Sequence, residues 1–154
     1  MATWRLDPAT THLNHGSFGA TPSEVLDHQS ALRSEMEHNP VDFMMRQYQP
    51  LLEASRSAVA SFVGADADGL VFVPNATYGV NSVLRSLEPQ LPPGADILIT
   101  NHTYNACRNA AAETARRIGG QLVVADIPFP IDDPQAVVEA VCAAVTPSTR
   151  VVVL

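Results

Sequence analysis

Three turns in this 154-residue chain carry side chains able to do chemistry. The first is Val73-Pro74-Asn75-Ala76-Thr77. The apolar run Leu70-Val71-Phe72-Val73 delivers the chain to a small-residue turn, and Val80, Val83, Leu84 and Leu87 then recur at helical spacing. Free amides at a helix start, the helix dipole and the Thr77 hydroxyl together suit an anion such as phosphate. The same residues also describe an ordinary cap, with Asn75 or Thr77 in that role, and the turn is neither a Walker nor a dinucleotide fingerprint. The second turn, Asn101-His102-Thr103-Tyr104-Asn105, occupies the same topological position one unit later. Its Tyr104 offers an aromatic face to a planar ligand, or a half-buried packing ring. The third is Asn14-His15-Gly16. His12 and His15 stand three apart, but no acidic or cysteine partner lies at ligand spacing, so no metal is expected. Arg46 follows Phe43-Met44-Met45, and its guanidinium suits either a carboxylate clamp or a solvated helix face.

The basic side chains exclude one kind of chemistry. All nine are arginines and there is no lysine. No Schiff base can therefore form on a lysine of this chain. Sixteen acidic residues give a formal net charge of −7, which argues against nucleic acid and anionic membrane as partners. No apolar run approaches the roughly 20 residues that span a bilayer. Met-Ala-Thr-Trp-Arg-Leu-Asp-Pro lacks the pattern of a signal peptide. A cytoplasmic location is expected, with Cys107 and Cys142 as reduced thiols.

Helices and strands must position these turns. Thr21 with Pro22 and Glu24 reads as a capping box opening a helix over about 22–38. Asn39-Pro40 opens a second, which Pro50 should break or kink. Leu51, Leu52, Ser55, Val59 and Phe62 continue at helical spacing until Gly64. Strands are expected at 70–73, 97–100, 121–125 and 150–154. Helices are expected to start near residue 76, over 104–118 before Gly119-Gly120, and after Asp132 or Asp133. Unbroken apolar strands alternating with helices predict an α/β fold, a mainly parallel sheet with helices on both faces. The two turns should then converge at the carboxyl end of the sheet, with Thr77 and Tyr104 reaching one cavity. The chain stops within an apolar strand, Val151-Val152-Val153-Leu154, so a fragment of a longer protein is expected.

Taken together, five blocks resemble a known family. They are Thr11-His12-Leu13-Asn14-His15-Gly16-Ser17-Phe18-Gly19-Ala20, Asn39 to Arg46, Val71 to Asn81, His102 to Ala110, and Ala144 to Arg150. In this order they are similar to the isopenicillin N epimerase-like enzymes, class V aminotransferases of the fold-type I pyridoxal-phosphate group. The resemblance implies that residues 1–64 form an entrance loop and N-terminal helices. Residues 65–154 would then be the first part of the cofactor-binding large domain. It implies pyridoxal 5'-phosphate as cofactor, with Asn75, Ala76 and Thr77 around its phosphate and Tyr104 stacked on its pyridine ring. Asn14, His15 and Arg46 would lie toward an amino-acid substrate.

Departures from the pattern are few. The family often has an acidic residue near His102 and before Tyr104, where this chain has Asn101 and Thr103. The family's Schiff-base lysine and the aspartate for the pyridine nitrogen lie beyond the equivalent of residue 154. The resemblance thus implies an epimerase, aminotransferase or desulfurase/lyase, a homodimer when complete, and an inactive chain when these residues stand alone. The competing reading is a self-contained phosphate- or nucleotide-binding α/β domain without catalysis.

Overall fold

The computed structural model describes residues 3–154. The chain forms two compact units, one up to Val71 and one from Phe72 to Leu154.

The first unit is helical. A short helix α1 (His15–Phe18) is followed by α2 (Ser23–His38). The expected capping box does not form. Pro22 is extended and bridges Trp4, the Ser23 amide donates to Thr3 O at 2.9 Å, and no side chain caps α2. Pairing with the N-terminal segment thus pulls residue 22 out of the helix. Asn39 does cap, its side chain accepting the Asp42 amide at 3.2 Å, and opens α3 (Pro40–Asp42). A π-helical turn, Phe43–Gln47, leads directly into α4 (Tyr48–Val63). Pro50 does not end the helix, since the π-helical turn and α4 follow one another without a gap. It follows closely on the wider π-helical turn, which takes up the irregularity in the hydrogen-bond ladder. Gly64 closes α4 at φ +70°, a conformation that favours glycine.

The second unit is a three-stranded sheet with order β2-β1-β3, all pairs parallel: β1 (Asp96–Thr100), β2 (Leu122–Ala125) and β3 (Thr149–Val153). Helix α5 (Ala76–Leu87) precedes β1, α6 (Asn105–Arg117) joins β1 to β2, and α7 (Pro134–Ala144) joins β2 to β3. Asp133 caps α7 by accepting the Gln135 amide at 2.9 Å. The fully buried run Ile97-Leu98-Ile99 shows why the middle of the central strand is apolar without alternation. Ile97 and Ile99 pack with Leu84 of α5 and Ala111 and Ala115 of α6. Leu98 points the other way, to Ala125, Ile127 and the Val137 and Val141 side of α7. Side chains alternate across a strand, so both faces need helices. Each of these isoleucines contributes about 1.5–3 kcal/mol by burial.

The fourth expected strand is absent. Residues 70–73 join no ladder, and Val71, Phe72 and Val73 are largely exposed. Leu70 has extended dihedrals, φ −108° and ψ 131°, so strand geometry is available locally but a pairing partner is not. Apolar sequence alone specifies neither.

Candidate cofactor site

Short connections fix where the ends of α5 and α6 lie. The chain leaves α5 at Leu87 and enters β1 at Asp96. Since α5 packs along the sheet, its start lies toward the carboxyl end of β1, where Tyr104 and the start of α6 also lie. That end of a parallel sheet is where ligands collect in α/β folds.

At the start of α5, Asn75 is the N-cap. It is extended, and its Oδ1 accepts the Tyr78 amide at 2.8 Å, while Gly79 makes the first helical bond to Asn75 O at 3.1 Å. The Ala76 and Thr77 amides have no acceptor among the described residues. They are the orphan donors every helix start leaves. Asn75 and Thr77 border an open cavity of about 480 Å³ lined also by Tyr78, Asn81, Ser82 and Arg85. Tyr104 is not in that lining. The two turns share an end of the sheet but not this cavity.

Tyr104 immediately precedes α6, its carbonyl accepting the Arg108 amide at 3.0 Å. Its ring is 73% exposed, so it is not the half-buried packing residue its type also allowed. An exposed aromatic ring and two free amides at one end of the sheet offer the two kinds of contact a phosphorylated aromatic ligand takes: amides for a phosphate, a π face for a ring.

Asn14, His15 and Arg46 belong to the first unit. Asn14 Oδ1 caps α1, accepting from Gly16 and Ser17 at 3.1 Å each. Gly19 closes that turn so tightly that a Cβ would sit 2.3 Å from His15 O. The His15 ring lies 4.5 Å from Trp4 and 4.6 Å from His12 between centroids. His12 Nε2 is buried with no partner among the described residues. Arg46 Nη1 pairs with Asp42 Oδ1 at 2.5 Å, and Gln47 Nε2 reaches Oδ2 of the same carboxylate at 2.9 Å. The bonds from Gln47 and then Arg46 hold the Asp42 carboxyl below its usual range. Among the described residues, no group of three or more His, Cys, Asp or Glu is arranged to hold a metal ion, and no helix is long and apolar enough to cross a membrane.

Sequence reasoning missed the clamp beside Tyr104. Asn101 Nδ2 donates to Asp126 Oδ1 at 2.6 Å and to Ile127 O at 3.0 Å, and its Oδ1 accepts the Ile127 amide at 3.0 Å. The only available signal was a polar residue directly after each of two adjacent strands.

A parallel sheet covered on both faces, with helix starts and an aromatic ring at its carboxyl end, is part of the large domain of fold-type I pyridoxal-phosphate enzymes. A C-DES mutant with glycine covalently linked to its PLP cofactor superposes with a TM-score of 0.80 at 24% identity, over 92% of this chain and 37% of that one. The chain belongs to the class V aminotransferase family, whose model matches residues 8–154. It is 39% identical over 146 residues to isopenicillin N epimerase of Amycolatopsis lactamdurans, covering 94% of this chain and 36% of the relative. It is 33% identical over 129 residues to hercynylcysteine sulfoxide lyase of Schizosaccharomyces pombe, covering 83% of this chain and 32% of the relative. The chain therefore spans about a third of the length of these relatives.

Proposed function

We propose that these residues form the phosphate- and ring-binding part of a pyridoxal-phosphate enzyme that acts on an amino acid. The supporting observation is the pair of free amides, Ala76 and Thr77, at the same sheet end as the exposed Tyr104 ring. The donor set fits the cofactor. Ala76 N, Thr77 N, the Thr77 hydroxyl and the Asn75 Nδ2 hold the phosphate, with the α5 dipole favouring its charge. Tyr104 lies against the pyridine ring and fixes its plane. When bound, the cofactor supplies an electron sink for a substrate carbanion, and the protein selects the outcome by orientation. Asn14 and His15 are assigned to the amino-acid substrate on the family resemblance. Arg46 holds the substrate carboxylate by exchanging it for that of Asp42, to which it makes a single bond.

The amine that carries the cofactor comes from outside these residues, since this chain has no lysine. Alone, the 154 residues are inactive; the complete protein is a cytoplasmic homodimer. Epimerisation, transamination and carbon–sulfur cleavage all stand as outcomes, in keeping with the family and with an epimerase and a sulfoxide lyase among the relatives. The test is equilibrium titration of the complete apoprotein with pyridoxal phosphate. Thr77→Val and Tyr104→Leu should each weaken binding, and unchanged affinity in both contradicts the assignment. The self-contained binding domain is favoured instead if the 154 residues alone bind the cofactor as tightly as the complete protein.

A further inference from the structure

We infer that Asn101 is a positioning residue for Tyr104, a role that rests on the reading of Tyr104 as the platform for the cofactor ring. Among the described residues, Tyr104 has no aromatic partner and its hydroxyl makes no hydrogen bond. Where the ring stands is decided by the backbone beneath it.

That backbone is fixed from two directions. Ahead, Tyr104 O accepts the first bond of α6 from Arg108. Behind, the turn is fastened to the end of β2. The Asn101 amide donates to Ala125 O at 3.0 Å, extending the β1–β2 ladder by one bond. Its side chain then takes both the N–H and the C=O of Ile127 at 3.0 Å, as a further strand residue would. Ile127 is buried in the cluster with Leu98 and Ala125, so the turn is tied to the core rather than to another mobile loop. His102 Nε2 lies 3.2 Å from the same Ile127 carbonyl. Thr103 Oγ1 accepts the Thr100 amide at 3.0 Å and closes the turn internally. Tyr104 is the next residue.

The clamp needs an amide and not a carboxylate. Asn101 must accept from Ile127 N–H and donate to Ile127 O and to Asp126. An aspartate there keeps the first bond, loses the other two and sets a second carboxylate against Asp126. Charge repulsion follows, and the Ile127 carbonyl is left with the longer His102 contact alone.

The experiment is a double-mutant cycle in the complete protein, read as the dissociation constant for pyridoxal phosphate. Asn101→Asp should weaken binding about tenfold. Adding Asp126→Asn, which restores a donor to the pair, should recover most of that loss. In a Tyr104→Leu background the effect of Asn101→Asp should shrink to about twofold or less, because Asn101 then has nothing to position. An undiminished effect in that background overturns the inference, since the residue would act on the fold generally. So does an unchanged constant for Asn101→Asp where Tyr104→Leu weakens binding. If Tyr104→Leu itself changes nothing, the platform reading falls and the inference falls with it. Should Asn101→Asp not fold, Asn101→Ala takes its place in the Tyr104→Leu cycle, with the same roughly tenfold weakening and the same shrinkage expected.

Discussion

The Asn75 side-chain oxygen accepts the Tyr78 amide at 2.8 Å. That bond satisfies the third amide of α5 and leaves the first two, on Ala76 and Thr77, facing outward. Capping and anion binding are thus not rival readings of Asn75: its oxygen caps while its Nδ2 stays free. Two substitutions separate the roles. Asn75→Ala should cost about 1 kcal/mol of stability and weaken cofactor binding as well. Asn75→Asp keeps the cap, so stability should hold, but it sets a negative charge beside the phosphate and should lower affinity. Denaturant unfolding and cofactor titration on the complete protein check both halves.

Thr77 supplies an amide and a hydroxyl to the same anion. Thr77→Val keeps the shape and the amide and removes the hydroxyl. Cofactor affinity should fall by about 1–3 kcal/mol through a lost charge-assisted bond, with unfolding little changed. A comparable loss of stability would show that the hydroxyl serves the helix instead.

Gly120 carries the chain from α6 into β2 against Ala95. A Cβ there would lie 1.8 Å from Ala95 O, a backbone atom that cannot swing aside. Gly120→Ala should destabilise by about 2 kcal/mol or more. Gly119→Ala meets no atom but is strained by its φ of +73°. The unfolding midpoints of the two variants distinguish collision from backbone strain.

Glu113 accepts from Arg116 Nε and Nη2 at 2.8 Å each and from Arg117 Nε at 2.9 Å. Bonds from Arg116, then Arg117, lower its carboxyl from 4.5 to about 2. A carboxyl lowered in the folded state adds stability above its ordinary pKa and loses it as pH falls through the folded value. Wild type should therefore lose stability between pH 4.5 and about 2 relative to Glu113→Gln, the difference being modest because the group is exposed. Melting temperature against pH gives the comparison; parallel curves for the two proteins would contradict it.

The parallel sheet was legible because its central strand carries an unbroken apolar run, Ile97-Leu98-Ile99, and helical periodicity separates it from its neighbours. Caps such as Asn39, Asn75 and Asp133 were legible because capping is local chemistry. The misses were non-local. Leu70 to Val73 looked like a strand, but whether it pairs depends on a partner that local sequence does not describe. Thr21 lost its capping role to the bridge between Trp4 and Pro22, residues 18 positions apart. Pro50 was tolerated because a π-helical turn shifted the start of α4, and no periodicity announces such a turn. At the site, helix-start logic found Ala76 and Thr77. The Asn101–Ile127 clamp escaped because its partners lie 26 residues apart and one of them contributes only backbone.

The account stands on where the cofactor phosphate binds. A crystal structure of the complete protein with pyridoxal phosphate measures this directly. Phosphate oxygens within about 2.7–3.1 Å of the Ala76 and Thr77 amide nitrogens, with the Tyr104 ring stacked on the pyridine, is the predicted result. A phosphate bound elsewhere, with those amides facing only water, would contradict it.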